Sequence, residues 1–173
     1  MAMTLDGSAS VTINSGAILG ITSGTAVAST SGTSIDFTGI PSWVKRITVM
    51  FSGVSTSGSS QPIVQIGSGS VQTTGYLSGS GTVAGANQTG FASSTVGFVV
   101  IISNASATIS GHMTITLMGS NIYVSSHAVK HLVTNISSGG GDVTLSGTLD
   151  RIRITTTNGT DTFDAGSINI LYE

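Results

Sequence analysis

Apolar and polar residues alternate most clearly toward the C-terminal end of the chain. The isoleucines of residues 149–156 alternate with charged and hydroxyl-bearing neighbours, and those of residues 167–172 repeat the alternation. A period of two places such side chains on one face of a β-strand. Asn158 and Gly159 lie between the two runs and favour the positive φ angles of a tight primed turn. The pattern predicts a half-buried strand, a turn and a terminal strand that docks into a compact β domain.

The rest of the chain also follows strand periodicity, and no stretch shows helical periodicity. Residues 78–90 are rich in Gly, Ser, Ala and Asn and are expected to form a loop. Strands are predicted at residues 10–14, 17–22, 34–38, 44–54, 62–66, 70–76, 95–103, 107–118, 122–125, 131–136, 142–145, 149–156 and 167–172. So many short strands separated by Gly and Ser favour an all-β fold, an antiparallel β-sandwich that is jelly-roll-like.

Three apolar features position these strands in the sandwich. In residues 44–54, the face that carries Ile47, Val49 and Phe51 is expected to point inward. The continuous apolar run of residues 98–102 is typical of a central strand that is covered on both sides. Trp43 follows a turn entry, and we expect it to plug one end of the sandwich.

Residues 1–32 differ from the remainder because they are small, weakly patterned and interrupted by glycine. Such a segment buries little surface on its own. We therefore divide the chain into an N-terminal arm, residues 1–32, which becomes ordered against a partner, and a β-sandwich domain, residues 33–173.

Composition narrows the class of protein. The 173 residues include no cysteine, are 39% hydrophobic and only 7% charged, and carry a net charge of −2. A β-branched, apolar composition of this kind excludes a disordered chain, and the absence of cysteine excludes disulfides and thiolate metal sites. So few cations argue against a nucleic-acid partner, and no membrane span or signal peptide is recognisable. Sparse charge leaves sheet edges unprotected, which favours assembly into a closed oligomer.

No group of residues predicts catalysis, a metal or a cofactor. His127 and His131 are four residues apart in a strand context and lack a third ligand, so solvated or interface histidines are the simpler interpretation. Asp161 and Asp164 resemble a calcium loop or a glycosidase pair only in spacing, and turn capping by Asp explains them better. Most cations lie in residues 44–54 and 149–156. If these strands are neighbours, Asp36 or Asp150 is expected to pair with them.

A glycan-binding surface is the one binding site that the residues leave open. Sugar sites combine exposed aromatic rings with amide and hydroxyl groups. Tyr76 with Asn87 of the adjacent loop, or Tyr123 beside Asn121, would provide both. Loops rich in Ser, Thr and Asn are equally typical of any neutral solvent-facing rim.

Two runs carry a resemblance to a known family. They are residues 35–58, IDFTGIPSWVKRITVMFSGVSTSG, and residues 146–173, SGTLDRIRITTTNGTDTFDAGSINILYE. Together they resemble a domain of tailed-phage and prophage virion proteins that is often found at the C-terminal end of tail-fibre-like chains. The resemblance covers roughly residues 33–173. It implies a β-sandwich on the outside of a phage particle, usually trimeric, and it implies no catalytic residue.

These observations lead to one preferred function and one alternative. The preferred function is a bacteriophage virion structural protein: a homotrimeric capsid decoration, cement or head-fibre protein, assembled in the host cytoplasm and displayed on the particle exterior. Its arm would bind the major capsid protein or another virion protein, and deletion of residues 2–32 is expected to leave a folded trimer that no longer joins the particle. The alternative is the receptor-binding tip of a tail fibre that recognises a host surface glycan.

Overall fold

The fold consists of two antiparallel β-sheets packed face to face, which confirms the predicted all-β sandwich. The computed structural model describes residues 12–13, 16–17, 20–85 and 87–173. A nine-stranded sheet contains β3 (Thr22–Ser23), β4 (Val27–Ala28), β6 (Arg46–Thr56), β9 (Leu77–Ala84), β10 (Asn87–Ser94), β12 (Ile109–Gly119), β13 (Ile122–Leu132), β14 (Asn135–Thr144) and β16 (Phe163–Tyr172). A five-stranded sheet contains β5 (Ile35–Thr38), β7 (Pro62–Ser68), β8 (Ser70–Val71), β11 (Phe98–Val99) and β15 (Arg151–Thr156). The strands β1 (Thr12–Ile13) and β2 (Gly16–Ala17) pair only with each other.

The order of strands in the large sheet is β10-β9-β14-β13-β12-β6-β16-β3, with β4 also paired to β16. The order in the small sheet is β11-β7-β15-β5, with β8 paired to β7. The chain passes repeatedly from one sheet to the other, as a jelly-roll-like fold requires. The described residues contain no helix, and therefore none that is long and apolar enough to cross a membrane.

The core is made by the inward-facing residues of both sheets. Ile47, Val49 and Phe51 of β6 are buried, as predicted, and they belong to the same hydrophobic core as Ile152 and Ile154 of β15. Each fully buried aliphatic or aromatic side chain contributes about 1.5–3 kcal/mol to the free energy of unfolding. Trp43 is partly buried against this core, and its ring centroid lies 5.9 Å from that of Tyr172.

Residues 78–90 are not the predicted loop. They belong to β9 and β10, which form a hairpin at one edge of the large sheet. The apolar alternation is missing because the inward-facing residues of β9 are Ser80 and Thr82, which are buried against polar partners. A strand whose inward face is polar has no hydrophobic signature.

The apolar run at residues 98–102 is buried, but it is not a central strand. Only Phe98 and Val99 pair with another strand, and β11 is an edge of the small sheet. Val100 donates its backbone N–H to Pro62 O at 2.9 Å, after which the chain leaves the ladder. Burial comes from packing beneath the large sheet, which extends over this edge.

The strand boundaries between residues 122 and 145 also differ from the prediction. Three short strands were expected, whereas β13 and β14 form one long hairpin whose turn is at Val133 and Thr134. The predicted strand at residues 131–136 spans this turn. The outward-facing residues here are small, for example Ser126 and Ser138, so the sequence shows no clear alternation.

The primed turn occurs at a different place from the predicted one. Ser120 and Asn121 have φ values of 50° and 60° and join β12 to β13 as a two-residue turn of type I′ geometry. Asn158 has no positive φ, and only Gly159 does, at 67°. The segment after β15 carries the chain from the small sheet to the large one, so a hairpin turn is not required there.

Residues 20–32 of the predicted arm lie along β16. The backbone N–H of Gly24 donates to Ile170 O at 2.8 Å, and that of Ser29 donates to Gly166 O at 2.9 Å. Ser29 is fully buried and its hydroxyl donates to Ala165 O at 2.8 Å. The remaining part of the arm, apart from β1 and β2, lies outside the described residues.

Candidate functional site

The two tyrosines that were expected to offer a sugar-stacking surface are buried, which corrects that expectation. Tyr76 is 0% exposed, and its ring packs edge-on against Phe98 with centroids 5.0 Å apart. Its hydroxyl accepts the Ile66 N–H at 2.8 Å, and burial raises its pKa to about 12. Tyr123 is 3% exposed and accepts the Leu149 N–H at 3.3 Å. Both rings face the interior because they share the inward side of the alternation with buried neighbours, Ser80 for Tyr76 and His127 for Tyr123.

The two asparagines are on the surface but far apart. Asn87 is exposed at the start of β10, at the end of the sheet where Ala84 pairs with Asn135. Asn121 is in the β12–β13 turn, at the end where Ile122 pairs with Thr144. Three strands separate β10 from β12, a distance of about 19 Å between strand axes. The structure therefore does not bring the four residues together.

The histidines form a buried polar cluster rather than a solvated pair. His127 and His131 both point inward from β13 and are 6% and 0% exposed. His127 Nε2 lies 2.9 Å from Ser80 Oγ, whereas its Nδ1 has no hydrogen-bond partner in the described part of the chain. Burial lowers the His127 pKa to about 4 and also lowers the pKa of His131. Both rings are therefore neutral near pH 7.

Hydroxyl groups from two further segments complete this cluster. His131 Nδ1 lies 2.8 Å from Ser137 Oγ of β14, and its Nε2 lies 2.9 Å from Ser103 Oγ. Ser137 Oγ also donates to Ile101 O at 2.9 Å. The cluster thus links β13 and β14 to the segment that follows β11. Within the described residues no three His, Cys, Asp or Glu side chains converge in a way that would hold a metal ion.

The paired aspartates serve local structure. Asp161 Oδ2 accepts the Ser60 N–H at 3.0 Å, and its Oδ1 accepts from the Asn158 side-chain amide at 2.7 Å. Asp164 accepts a hydrogen bond from the Ser55 hydroxyl. Each carboxylate is engaged by a neighbour that orders the chain between β15 and β16, so the two do not face a shared substrate position.

Some of the expected ion pairs form, and others do not. Arg153 of β15 makes a bidentate pair with Asp36 of β5, with Nε to Oδ1 at 2.7 Å and Nη2 to Oδ2 at 3.0 Å. Asp150 pairs with its neighbour Arg151 at 2.7 Å, which lowers the pKa of that carboxyl group. The strands at residues 44–54 and 149–156 lie in different sheets and are not neighbours, so Arg46 pairs instead with Glu173.

The most extensive candidate for a functional surface is the outer face of the large sheet. Between β12 and β10 this face carries small residues such as Gly79, Gly81 and Ala128, so the sheet is open to close approach. Six of its side chains are large, apolar and 37–71% exposed: Leu77, Val83, Phe91, Met118, Val124 and Ile136. Several exposed apolar side chains on one face of a sheet are a feature of protein contact surfaces. Sequence reasoning missed this face because β9 and β10 were assigned to a loop.

The edge of the same sheet is also unprotected. Among the strands that the structure describes, β10 pairs only with β9, and residues 87–94 include no charged residue and no proline. The other described sheet edges are two-residue or four-residue strands, namely β3, β4, β11 and β5. A long uncharged edge strand pairs readily with another chain unless it is covered.

Comparisons with known proteins place no constraint on this surface. No family model matches the chain, and no curated protein or solved structure is significantly similar to it.

Proposed function

We propose that the protein is a non-catalytic structural component of a bacteriophage particle, a homotrimeric decoration, cement or head-fibre protein on the particle exterior. The observation that supports a structural role best is the sparsely charged, partly apolar outer face of the large sheet, together with the β10 edge that pairs with no further described strand. The resemblance of residues 35–58 and 146–173 to a domain of phage virion proteins is the reason for proposing the virion as the place of this role.

The occupant of that face in our proposal is another copy of the same chain. The part of the sheet from β12 to β10 spans five strands of roughly eight residues, a planar area of about 600 Å². This area is above the roughly 500 Å² per partner at which specific interfaces begin. Val83 lies directly opposite Ile136 in the ladder, so these two side chains form an adjacent apolar pair within the proposed contact.

Charge on this face is compatible with self-association. Lys130 lies beside Ile136, and Asp142 lies beside Leu77 at the opposite end of the β13–β14 hairpin. A neighbouring copy can thus place its carboxylate next to the lysine without burying an unpaired charge. Exposed pairs of this kind set the register of an interface more than its strength.

Attachment to the particle is assigned to the N-terminal residues 1–32, with the major capsid protein or another virion protein as partner. Residues 22–32 lie along β16 and reach the edge of the large sheet at β3, so the preceding residues begin at the border of the sandwich. An anchor at this border is compatible with a sandwich that projects from the particle.

The test of oligomeric state uses light scattering and native mass spectrometry on the full chain at about 10 µM, a concentration that an interface of standard size sustains. We expect a mass of three copies, reduced to one copy in Ile136→Lys. Thr38→Lys, on an exposed residue of the small sheet, is the matched control and should remain trimeric. A wild-type mass of one or two copies would contradict the proposed trimer. Mass spectrometry and electron microscopy of purified particles test the location, and absence from the particle would refute it.

A further inference from the structure

The outer face of the small sheet carries a polar cleft on the side of the molecule opposite the proposed subunit contact. Its floor is formed by Ile63 and Gln65 of β7 and Thr155 of β15, and one wall is Val96 in the loop before β11. The cleft encloses about 340 Å³. This volume is at the lower end of the range for small-molecule sites and would hold about ten waters.

The floor of the cleft contains polar side chains that are almost fully buried. Gln65 is 6% exposed, and its amide nitrogen donates to Val96 O at 2.8 Å, which fixes the orientation of the group. Its Oε1 accepts no hydrogen bond from the described residues. Thr155 is 8% exposed, and its hydroxyl donates to Thr33 O at 2.8 Å, which leaves its lone pairs free to accept. The Gln65 amide oxygen and the Thr155 hydroxyl are thus held in place by their own donor bonds and remain able to accept a hydrogen bond from a ligand.

The charges at the cleft indicate a neutral ligand. The guanidinium of Arg153 lines one end, but Asp36 neutralises it through both Nε and Nη2. The third nitrogen, Nη1, bonds to no described residue and remains a donor. An anion would meet a compensated cation, and a cation would meet no carboxylate in the described lining.

We propose that this cleft binds a neutral sugar, with one pyranose ring seated on the floor. Ring hydroxyls both donate and accept, and the cleft offers an amide acceptor at Gln65, a hydroxyl at Thr155 and a donor at Arg153. Val96, which is partly exposed at the wall, provides aliphatic surface for the C–H groups of the ring. The proposal does not depend on the proposed virion function, because it concerns binding by the isolated full chain.

The experiment uses ¹⁵N-labelled full-length protein with six neutral probes, namely glucose, galactose, mannose, rhamnose, N-acetylglucosamine and N-acetylgalactosamine, at up to about 20 mM, where weak affinities are measurable. We expect at least one probe to shift amide resonances grouped at residues 33–34, 65, 96 and 153–159. Thr155→Val and Gln65→Leu should each weaken that binding about tenfold, the value of one hydrogen bond. Thr114→Val, on the outer face of the large sheet, should leave it unchanged.

Thermal melts establish that each variant is folded. If Thr155→Val does not fold, Thr73→Val replaces it, because Thr73 is exposed at the rim of the cleft. The proposal is overturned if no neutral probe shifts any amide, if the shifts fall elsewhere, or if only glucuronic acid and N-acetylneuraminic acid bind.

Discussion

An imidazole keeps its positive charge in a protein only where water or an anion stabilises it. On β13, His127 and His131 are buried away from water and have no anionic neighbour among the described residues. The groups that face His127 and His131 from β9, β14 and the segment after β11 are the hydroxyls of Ser80, Ser137 and Ser103. None of these carries a charge, so desolvation alone determines the direction of both pKa shifts. The neutral rings contribute to folding only as long as they stay unprotonated.

We therefore expect the protein to lose stability in mild acid. The folded-state pKa of His127 is about 4, below the unfolded value of 6.5. The unfolded chain consequently binds more protons between these values, and the free energy of unfolding falls as the pH falls through this window. The full effect is about 3 kcal/mol for His127, with a loss of the same sign from His131. Urea unfolding followed by circular dichroism at pH 7, 5.5 and 4 measures it.

Substitution separates this effect from general acid denaturation. His127→Gln keeps a neutral group beside Ser80 and should flatten the pH dependence, whereas His112→Gln, an exposed residue of β12, should not. Equal pH profiles for the wild-type and His127→Gln proteins would contradict the explanation.

For single residues, the sequence could predict which side chains point inward, but not which distant groups they would contact. The inward phase of Ile47, Val49 and Phe51 was readable because their own neighbours alternate. The partner of His127 is Ser80, 47 residues away, and no local pattern reveals it. The same holds for Tyr76, whose hydroxyl accepts a hydrogen bond from the backbone N–H of Ile66 in β7.

Among the elements, the β12–β13 turn requires two residues with positive φ, a conformation that only Gly and Asn tolerate well. Asn121→Gly should leave the free energy of unfolding unchanged or slightly raised. Asn121→Val should lower it by about 1–2 kcal/mol, because a β-branched side chain is strained at φ near 60°. Thermal denaturation of the two variants decides this, and equal melting temperatures would show that the turn has another geometry.

The glycines of β14 are needed for close contact between strands. A Cβ at Gly139 would overlap the carbonyl oxygen of Gly79 and lie 2.7 Å from His127 Cε1. Gly139→Ala should therefore lower the free energy of unfolding by about 2–3 kcal/mol, since backbone and a buried ring must move. Gly20→Ala is the control, because a Cβ there meets nothing within 4 Å. If chemical denaturation finds the two variants equally stable, the packing of β14 on β9 is looser than described.

Strands with an aliphatic inward face were predictable, and strands with a polar or glycine-rich face were not. β6, β15 and β16 fall within or near their predicted ranges because burial of isoleucine and valine sets their periodicity. β9 and β10 were missed because their inward residues, such as Ser80, are buried for hydrogen bonding. Their outward residues include glycine, which carries no hydrophobic signal.

Over the whole molecule, the two sheets differ in size, and their outer faces differ in chemistry. The large sheet exposes apolar side chains on a nearly uncharged surface, whereas the small sheet exposes a hydroxyl- and amide-lined cleft. A contact between copies on the first face leaves the second open to solvent. The sequence predicted the sandwich, but neither face was predictable, because each is assembled from strands distant in the chain.

The role of the N-terminal residues is also a property of the whole molecule, and two truncations distinguish attachment from folding. Deleting residues 2–19 leaves in place the hydrogen bonds that Gly24 and Ser29 donate to β16 and the one that Gly32 O accepts from the Phe163 N–H. This variant should retain the wild-type melting temperature and fail to join the particle. Deleting residues 2–32 removes those bonds and exposes the edge of β16, which should lower the free energy of unfolding by about 3–5 kcal/mol.

Because residues 22–32 pair with β16, we expect this part of the arm to stabilise the domain, and the boundary at residue 33 stays a prediction. Thermal melts of both variants, together with their incorporation into particles measured by mass spectrometry, give four distinguishable outcomes. A shorter truncation that still joins the particle would place attachment within the sandwich. A longer truncation that melts like the wild-type protein would mean that β16 is stable as an edge strand, in which case the boundary between arm and domain lies near residue 33.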